Sequence, residues 1–197
     1  MTNYSSFATL ILTVLLLTSC SALLNTPGFY SGYDKLSAEQ KSKICFIDSV
    51  QQLEACNNNY KAISGHILYE MLPNEDTTLL ILWRPECASD ACMPLSSIVN
   101  FCDATNYNYI IVPDFYEVLL DPQIDSYNGE LFFMNHKYYD SNFNPKVRDR
   151  FVNDIVSHFN VDYNDLMGHR FSFFVGNKQL HTFEYLKDLE DHLPKDK

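Results

Sequence analysis

The chain has 197 residues, is 46% hydrophobic and 14% aromatic, and carries a formal net charge of −11. That length suits one domain with a sizeable core. It holds no basic stretch, so the sequence offers no electrostatic support for nucleic-acid binding or for charge-driven binding to anionic headgroups.

The chain opens on Met1 to Ser6, which carry no charged side chain, and continues into an apolar run from Phe7 to Leu17. The run suits the core of a signal peptide and is shorter than the roughly 20 residues of a spanning helix. It ends in Leu17-Thr18-Ser19-Cys20. This segment resembles the lipobox of bacterial lipoproteins, in which small residues precede a cysteine that receives a diacylglycerol thioether before cleavage. The resemblance implies a lipoprotein signal peptide over 1–19, lipidation of Cys20, and attachment of the mature protein to a membrane of the cell envelope. The chain departs from the pattern in having no Lys or Arg ahead of the apolar run. Multiple acyl chains, at about 0.8 kcal/mol per buried methylene, make a firm anchor.

Residues 21–36 carry Pro27, Gly28 and Gly32 among polar residues and tyrosines, and 20–40 reads as the lipidated N-terminus and tether. Ser37 with Gln40 forms the pattern of a capping box ahead of a short helix. Lys43 to Ile47 reads as a strand, Ser49 to Cys56 as a short helix, and Ile63 to Leu72 as another. Thr77 to Leu82 is β-branched and apolar without alternation, the pattern of a strand covered on both faces. Leu95, Ile98, Val99 and Cys102 recur at helical spacing behind Pro94, which predicts a helix over 93–104. Tyr109 to Val112 is a second buried strand, Phe115 to Leu120 a short helix, and Leu131 to Met134 a further strand.

Pro145 opens a helix with Val147, Phe151, Ile155 and Phe159 on one stripe. Phe171–Val175 and Gln179–Phe183 flank Gly176-Asn177 as a hairpin. Leu186, Leu189 and Leu193 share a face of a last helix. The order βαβ, strand and helix, then hairpin and helix, favours an α/β sandwich with a mixed sheet. The domain spans 41–193, with a tail over 194–197.

Within this order stands Leu82-Trp83-Arg84-Pro85-Glu86-Cys87. The segment resembles the thioredoxin superfamily, where a buried strand runs into Trp-x-Pro-x-Cys and then a helix. The later elements resemble the redoxin-type thioredoxin-like lipoproteins of the Bacteroidetes. The resemblance covers roughly 60–193. It implies an α/β thioredoxin-like three-layer sandwich, its central mixed β-sheet flanked by helices. It also implies that Cys87 is a nucleophile with a thiolate stabilised by a helix dipole, supported by Trp83 and Pro85, and that Cys92 resolves the mixed disulfide. The partners it implies are envelope proteins bearing thiols or disulfides, with no cofactor and no metal.

The departures are specific. The family spacing is Cys-x2-Cys, whereas here Ala88 to Ala91 separate Cys87 from Cys92. A five-residue helical step turns about 500°, which points the thiols apart unless the segment is a loop. Pairing then needs Cα atoms within about 7 Å. Asp90 places negative charge near the thiols and opposes thiolate formation. The position of the buried acid that many members carry is Ile81. The position of the cis-proline facing the cysteines is His169 or Arg170, and Arg170 would return positive charge toward Cys87. Three readings of Cys87 and Cys92 therefore stand: a redox pair, a structural disulfide, or two inert thiols. In the first reading the protein is an envelope thiol–disulfide oxidoreductase. In the others it is a degenerate, non-catalytic binding or scaffold lipoprotein.

The remaining features read more simply. Cys45 and Cys56 could be bridged, but read better as two buried small apolar side chains. Cys102 lies on the apolar face of its helix. Asn160 to Asp165 alternates oxygen-bearing residues as calcium loops do, yet lacks their glycine and glutamate, and reads as a solvated loop. His66, His136, His158, His169, His181 and His192 form no recognisable catalytic pair. Ser64 precedes Gly65 outside any Gly-x-Ser-x-Gly motif.

Overall fold

A computed structural model describes residues 29–72, 77–84, 94–105, 107–125, 127–159, 161–169, 171–175 and 178–183. Seven strands are described: β1 (Ile44–Phe46), β2 (Tyr60–Ile63), β3 (Thr77–Trp83), β4 (Asn108–Pro113), β5 (Leu131–Met134), β6 (Phe171–Val175) and β7 (Lys178–Phe183). The described helices are α1 (Ala38–Ser42), α2 (Val50–Ala55), α3 (Gly65–Met71), α4 (Leu95–Thr105), α5 (Pro122–Asp125), α6 (Asn144–His158) and α7 (Tyr163–Gly168). Two 3-10 turns, Tyr33–Lys35 and Tyr116–Leu120, complete them.

The strands form a parallel sheet in the order β1-β2-β5 and a mixed sheet in the order β4-β3-β6-β7. β3 pairs β4 in parallel and β6 antiparallel, and β6 pairs β7 antiparallel. The sheets meet where β5 runs beside β4. Tyr116 closes this seam: its ring stacks on Phe133 with centroids 4.7 Å apart, and its hydroxyl donates to the Met134 carbonyl at 3.1 Å.

Side chains along a strand alternate between faces, and β3 has no polar face to turn to water. Leu79, Ile81 and Trp83 enter one core with Leu95, Ile98 and Cys102 of α4. Leu80 and Leu82 enter the other, with Ile67 and Leu68 of α3 and Val147, Phe151 and Ile155 of α6. Helices thus cover both faces of an α/β structure with a mixed sheet.

Local chemistry explains where several elements begin. Ser37 and Gln40 cap α1 reciprocally, as their spacing predicts. The Ser64 hydroxyl caps α3 by accepting from the Ile67 N–H at 3.2 Å. Gly65 permits α3 to approach α6, because a Cβ there would lie 2.5 Å from the Phe151 carbonyl oxygen. The same glycine N–H donates to the Tyr139 hydroxyl at 2.8 Å, and that hydroxyl donates to Asp154 Oδ2 at 2.7 Å.

The structure differs from the sequence expectations in four places. Cys45 and Cys56 are bonded, not two separate apolar side chains: α2 folds its C-terminal cap back onto β1 and brings the Cα atoms to 6.4 Å, within disulfide range. Residues 60–63 are a strand, and the helix expected from Ile63 starts at Gly65. The expected loop at Asn160–Asp165 carries the start of α7, with the Asp162 carboxylate accepting from the Asn164 N–H at 2.7 Å. Finally, the described end of the expected tether is packed: Leu36 lies in the core, and Ser31 exchanges backbone bonds with Asn142 and Tyr116 at 2.8 and 2.7 Å. Cys20, Pro85, Cys87, Cys92, the Gly176-Asn177 turn and the expected helix from Leu186 lie outside the described residues.

Candidate functional site

In open α/β sheets the crevice outside the carboxyl ends of parallel strands is where ligands bind. β3 and β4 end side by side at Trp83 and Pro113, and a cavity of about 160 Å³ opens just beyond them. Leu82 and Arg84 line it from the end of β3, Asp114 from the end of β4, Arg148 from α6, and Met167, Gly168 and His169 from the end of α7.

Asp114 is the hub. Its N–H donates to the Trp83 carbonyl at 3.0 Å, which fixes its backbone against the end of β3. Its carboxylate is 2% exposed and takes two guanidinium groups on one oxygen. Arg84 Nε and Nη2 stand 2.7 and 2.6 Å from Oδ2, and Arg148 Nη1 stands 3.3 Å from it. Arg148 Nη2 also donates to the Met167 carbonyl at 3.4 Å, tying α6 to α7. Asp114 Oδ1 and Arg148 Nε are buried with no hydrogen-bond partner among the described residues.

Among the described residues, two guanidinium cations face one carboxylate at the cavity, an excess of one positive charge there in a chain whose net charge is −11. Arg84 is 47% exposed and Arg148 16% exposed, which makes Arg84 the group able to reach a ligand outside the cavity. His169 Nδ1 bonds the Asp165 carbonyl at 2.8 Å. A carbonyl only accepts, so Nδ1 is the donor in this bond.

The residues expected from the sequence meet this cavity unevenly. Trp83 is buried at the end of β3. Ile81 lies in the same core as Trp83. His169 lines the cavity, and Arg170 lies outside the described residues. Cys87 lies three positions beyond Arg84, and covalent geometry limits that stretch to about 11 Å. Asp114 and Arg148 escaped the sequence reading. Asp114 had a local signal, a lone acid directly after an apolar strand, whereas Arg148 is brought in by tertiary packing alone.

Other groups stand apart from this cavity. Cys102 is a free, buried thiol whose pKa burial pushes up to about 12, with Asp103 adding to the rise. His136 is held by the rings of Tyr33, Phe46 and Tyr116, and burial lowers its pKa to about 4, helped by Lys137 and opposed by Asp34. His66 and His158 do form a pair: Nδ1 of one lies 3.1 Å from Nε2 of the other, with Glu70 3.4 Å from His66 Nε2. No group of three or more metal-binding side chains is poised to hold an ion among the described residues. Nor does any described helix have the length and apolarity to cross a membrane.

No protein-family profile matches the chain, and neither does any curated protein or solved structure.

Proposed function

We propose that the protein is a membrane-anchored envelope lipoprotein whose thioredoxin-like domain exchanges thiols and disulfides through Cys87. The observation that carries this reading is the order β4-β3-β6-β7 with Trp83 closing β3. A parallel β3–α4–β4 unit next to an antiparallel hairpin is the arrangement that the Trp-x-Pro-x-Cys resemblance implies. Cys87 follows Arg84 by three positions in the chain, and Arg84 shares the cavity at the strand ends with Arg148. Positive charge favours a thiolate, and the thiolate is the nucleophile.

The reaction balances without a cofactor. The Cys87 thiolate attacks one sulfur of a partner disulfide, forms a mixed disulfide and releases the partner's other sulfur as a thiolate. Cys92, once deprotonated, attacks the Cys87 sulfur, forms Cys87–Cys92 and releases the partner's second thiolate. Two electrons pass from the dithiol to the partner, and a donor dithiol must restore the reduced pair. The Cys45–Cys56 bridge supports the envelope part of this reading, since disulfides persist in oxidising compartments. The Leu17 to Cys20 segment supports the lipid anchor.

The test is reduction of insulin disulfides by the mature protein beside a Cys87→Ser variant. Loss of activity in the variant is expected, and equal activity in both removes the proposal. A second reading, a binding or scaffold domain without turnover, is favoured by one observation: His169, not proline, borders the cavity. An inactive protein that retains a stable Cys87–Cys92 bridge through reductant titration would select it.

A further inference from the structure

We propose that the aromatic cluster formed by Phe29, Tyr30 and Phe143 is a membrane-contact surface, seated in the bilayer interface beside the anchor. The inference rests on the reading of Cys20 as the lipid-bearing residue and adds to it how the domain sits on the membrane.

The three side chains are between 37% and 38% exposed, and their rings stand edge to face at centroid distances of 5.1, 6.0 and 6.3 Å. They are not on a loose tail. Tyr30 forms an antiparallel bridge to Phe143, the Phe29 carbonyl accepts from the Asn144 N–H at 3.1 Å, and Ser31 N–H donates to the Asn142 carbonyl at 2.8 Å. These backbone bonds hold the three partly exposed rings together at the surface. Tyr138, 52% exposed, lies five positions before Phe143 in the same connection between β5 and α6. Leu120 is the one other exposed large apolar side chain among the described residues.

What selects the occupant is closeness in sequence to the anchor. Phe29 lies nine positions beyond Cys20. Nine residues span at most about 30 Å, so an acylated Cys20 keeps the cluster within that distance of the headgroups. Tyr and Phe rings suit that boundary, being apolar bodies that tolerate its wet, partly polar environment. The net charge of −11 points to contact through these rings with a zwitterionic surface and gives no attraction to an anionic one.

The experiment supplies the tether independently of acylation. The chain from residue 20, with Cys20→Ser and a hexahistidine in front, is held on nickel-chelating lipid in phosphatidylcholine vesicles. Phe143→Trp reports contact through quenching by lipids brominated just below the headgroup. Trp83, the chain's sole natural tryptophan, is buried and gives the background in the parent protein.

Quenching in Phe143→Trp, unmatched in the parent and abolished when Phe29 and Tyr30 are also changed to Ser, is the expected result. Equal emission on brominated and plain vesicles overturns the proposal. So does emission that follows protein concentration rather than bromine, which assigns the surface to a second copy. Mass spectrometry of exported protein reports the lipid on Cys20 separately. An unacylated Cys20 together with quenched Phe143→Trp would remove the anchor reading and leave the membrane-contact surface standing.

Discussion

Arg84 Nε stands 2.7 Å from Asp114 Oδ2, and this contact ties the residue that follows β3 to the residue that follows β4. Asp114 is buried, so its charge depends on the two guanidinium groups that meet it. Asp114→Ala leaves Arg148, itself mostly buried, with no counter-charge there, and is expected to lower the unfolding free energy by about 3 kcal/mol. Urea denaturation measures it. The half-exposed Arg84 keeps access to water, so Arg84→Ala should cost clearly less than Asp114→Ala. An equal or larger loss in Arg84→Ala would show that the hub is misassigned.

The same arginine gives a chemical prediction. If Cys87 reacts as a thiolate, Arg84→Gln removes one positive charge within about 11 Å of it along the chain. Alkylation of Cys87 at neutral pH should slow, and its pH profile should move to higher pH. An unchanged profile would detach the cavity from the thiol. Cys102 provides an internal control: buried, with its pKa pushed up to about 12, it should be alkylated only in denaturant.

Cys45 and Cys56 close a short loop between β1 and the end of α2, eleven positions apart. Replacing both with Ala should lower stability by about 3 kcal/mol on the loop-entropy scale. Reductant should lower the melting temperature of the parent protein by more than that of the double variant.

His136 sets an acid limit. Its pKa is about 4 in the fold against 6.5 in a free chain. Above pH 6.5 the ring is neutral in both states and contributes no pH dependence. As the pH falls from 6.5 toward 4, the unfolded chain binds a proton that the folded protein refuses, so stability falls, then levels below 4. The full loss is roughly 3 kcal/mol. In His136→Gln this part of the acid slope should vanish, which chemical denaturation at a series of pH values will detect.

Gly65→Ala places a methyl group against the Phe151 carbonyl oxygen and the Asp154 Cβ, at 2.5 and 2.7 Å. Both belong to the body of α6, which cannot yield as a flexible side-chain tip would. The helices must part, at a cost of roughly 1–3 kcal/mol despite the better helix propensity of alanine. Thermal melting measures it, and an unchanged midpoint would mean that α3 and α6 are not in close contact.

The elements legible in the sequence are those whose residues carry the signal themselves. The apolar run of β3 marks a strand with two covered faces, and the stripe through Val147, Phe151 and Ile155 marks α6. β2 was hidden because Tyr60–Ile63 is short and contains Lys61. That lysine is buried with its ammonium on Glu130, a partner 69 positions away that no local pattern reveals. α7 was hidden because its opening residues are polar and its buried contact is Leu166. The site divides in the same way. Trp83, Arg84 and His169 were within reach of a motif or an alignment of element order. Arg148 enters from α6, and His66 meets His158 from 92 positions away, so only tertiary packing brings them in.

Among the described residues, β1 stands at the outer end of its sheet, with β2 as its sole neighbour there. An unpaired strand edge is a template on which another chain can grow, and such growth seeds aggregation. Here the template is three residues long, and the next outward N–H, from Asp48, is already spent on Gln52 Oε1 at 2.7 Å. Cys45, the middle residue of that strand, is also covalently leashed to α2. An invading strand would find too short a ladder to hold it, so this margin of the sheet resists recruitment into fibrils by its brevity.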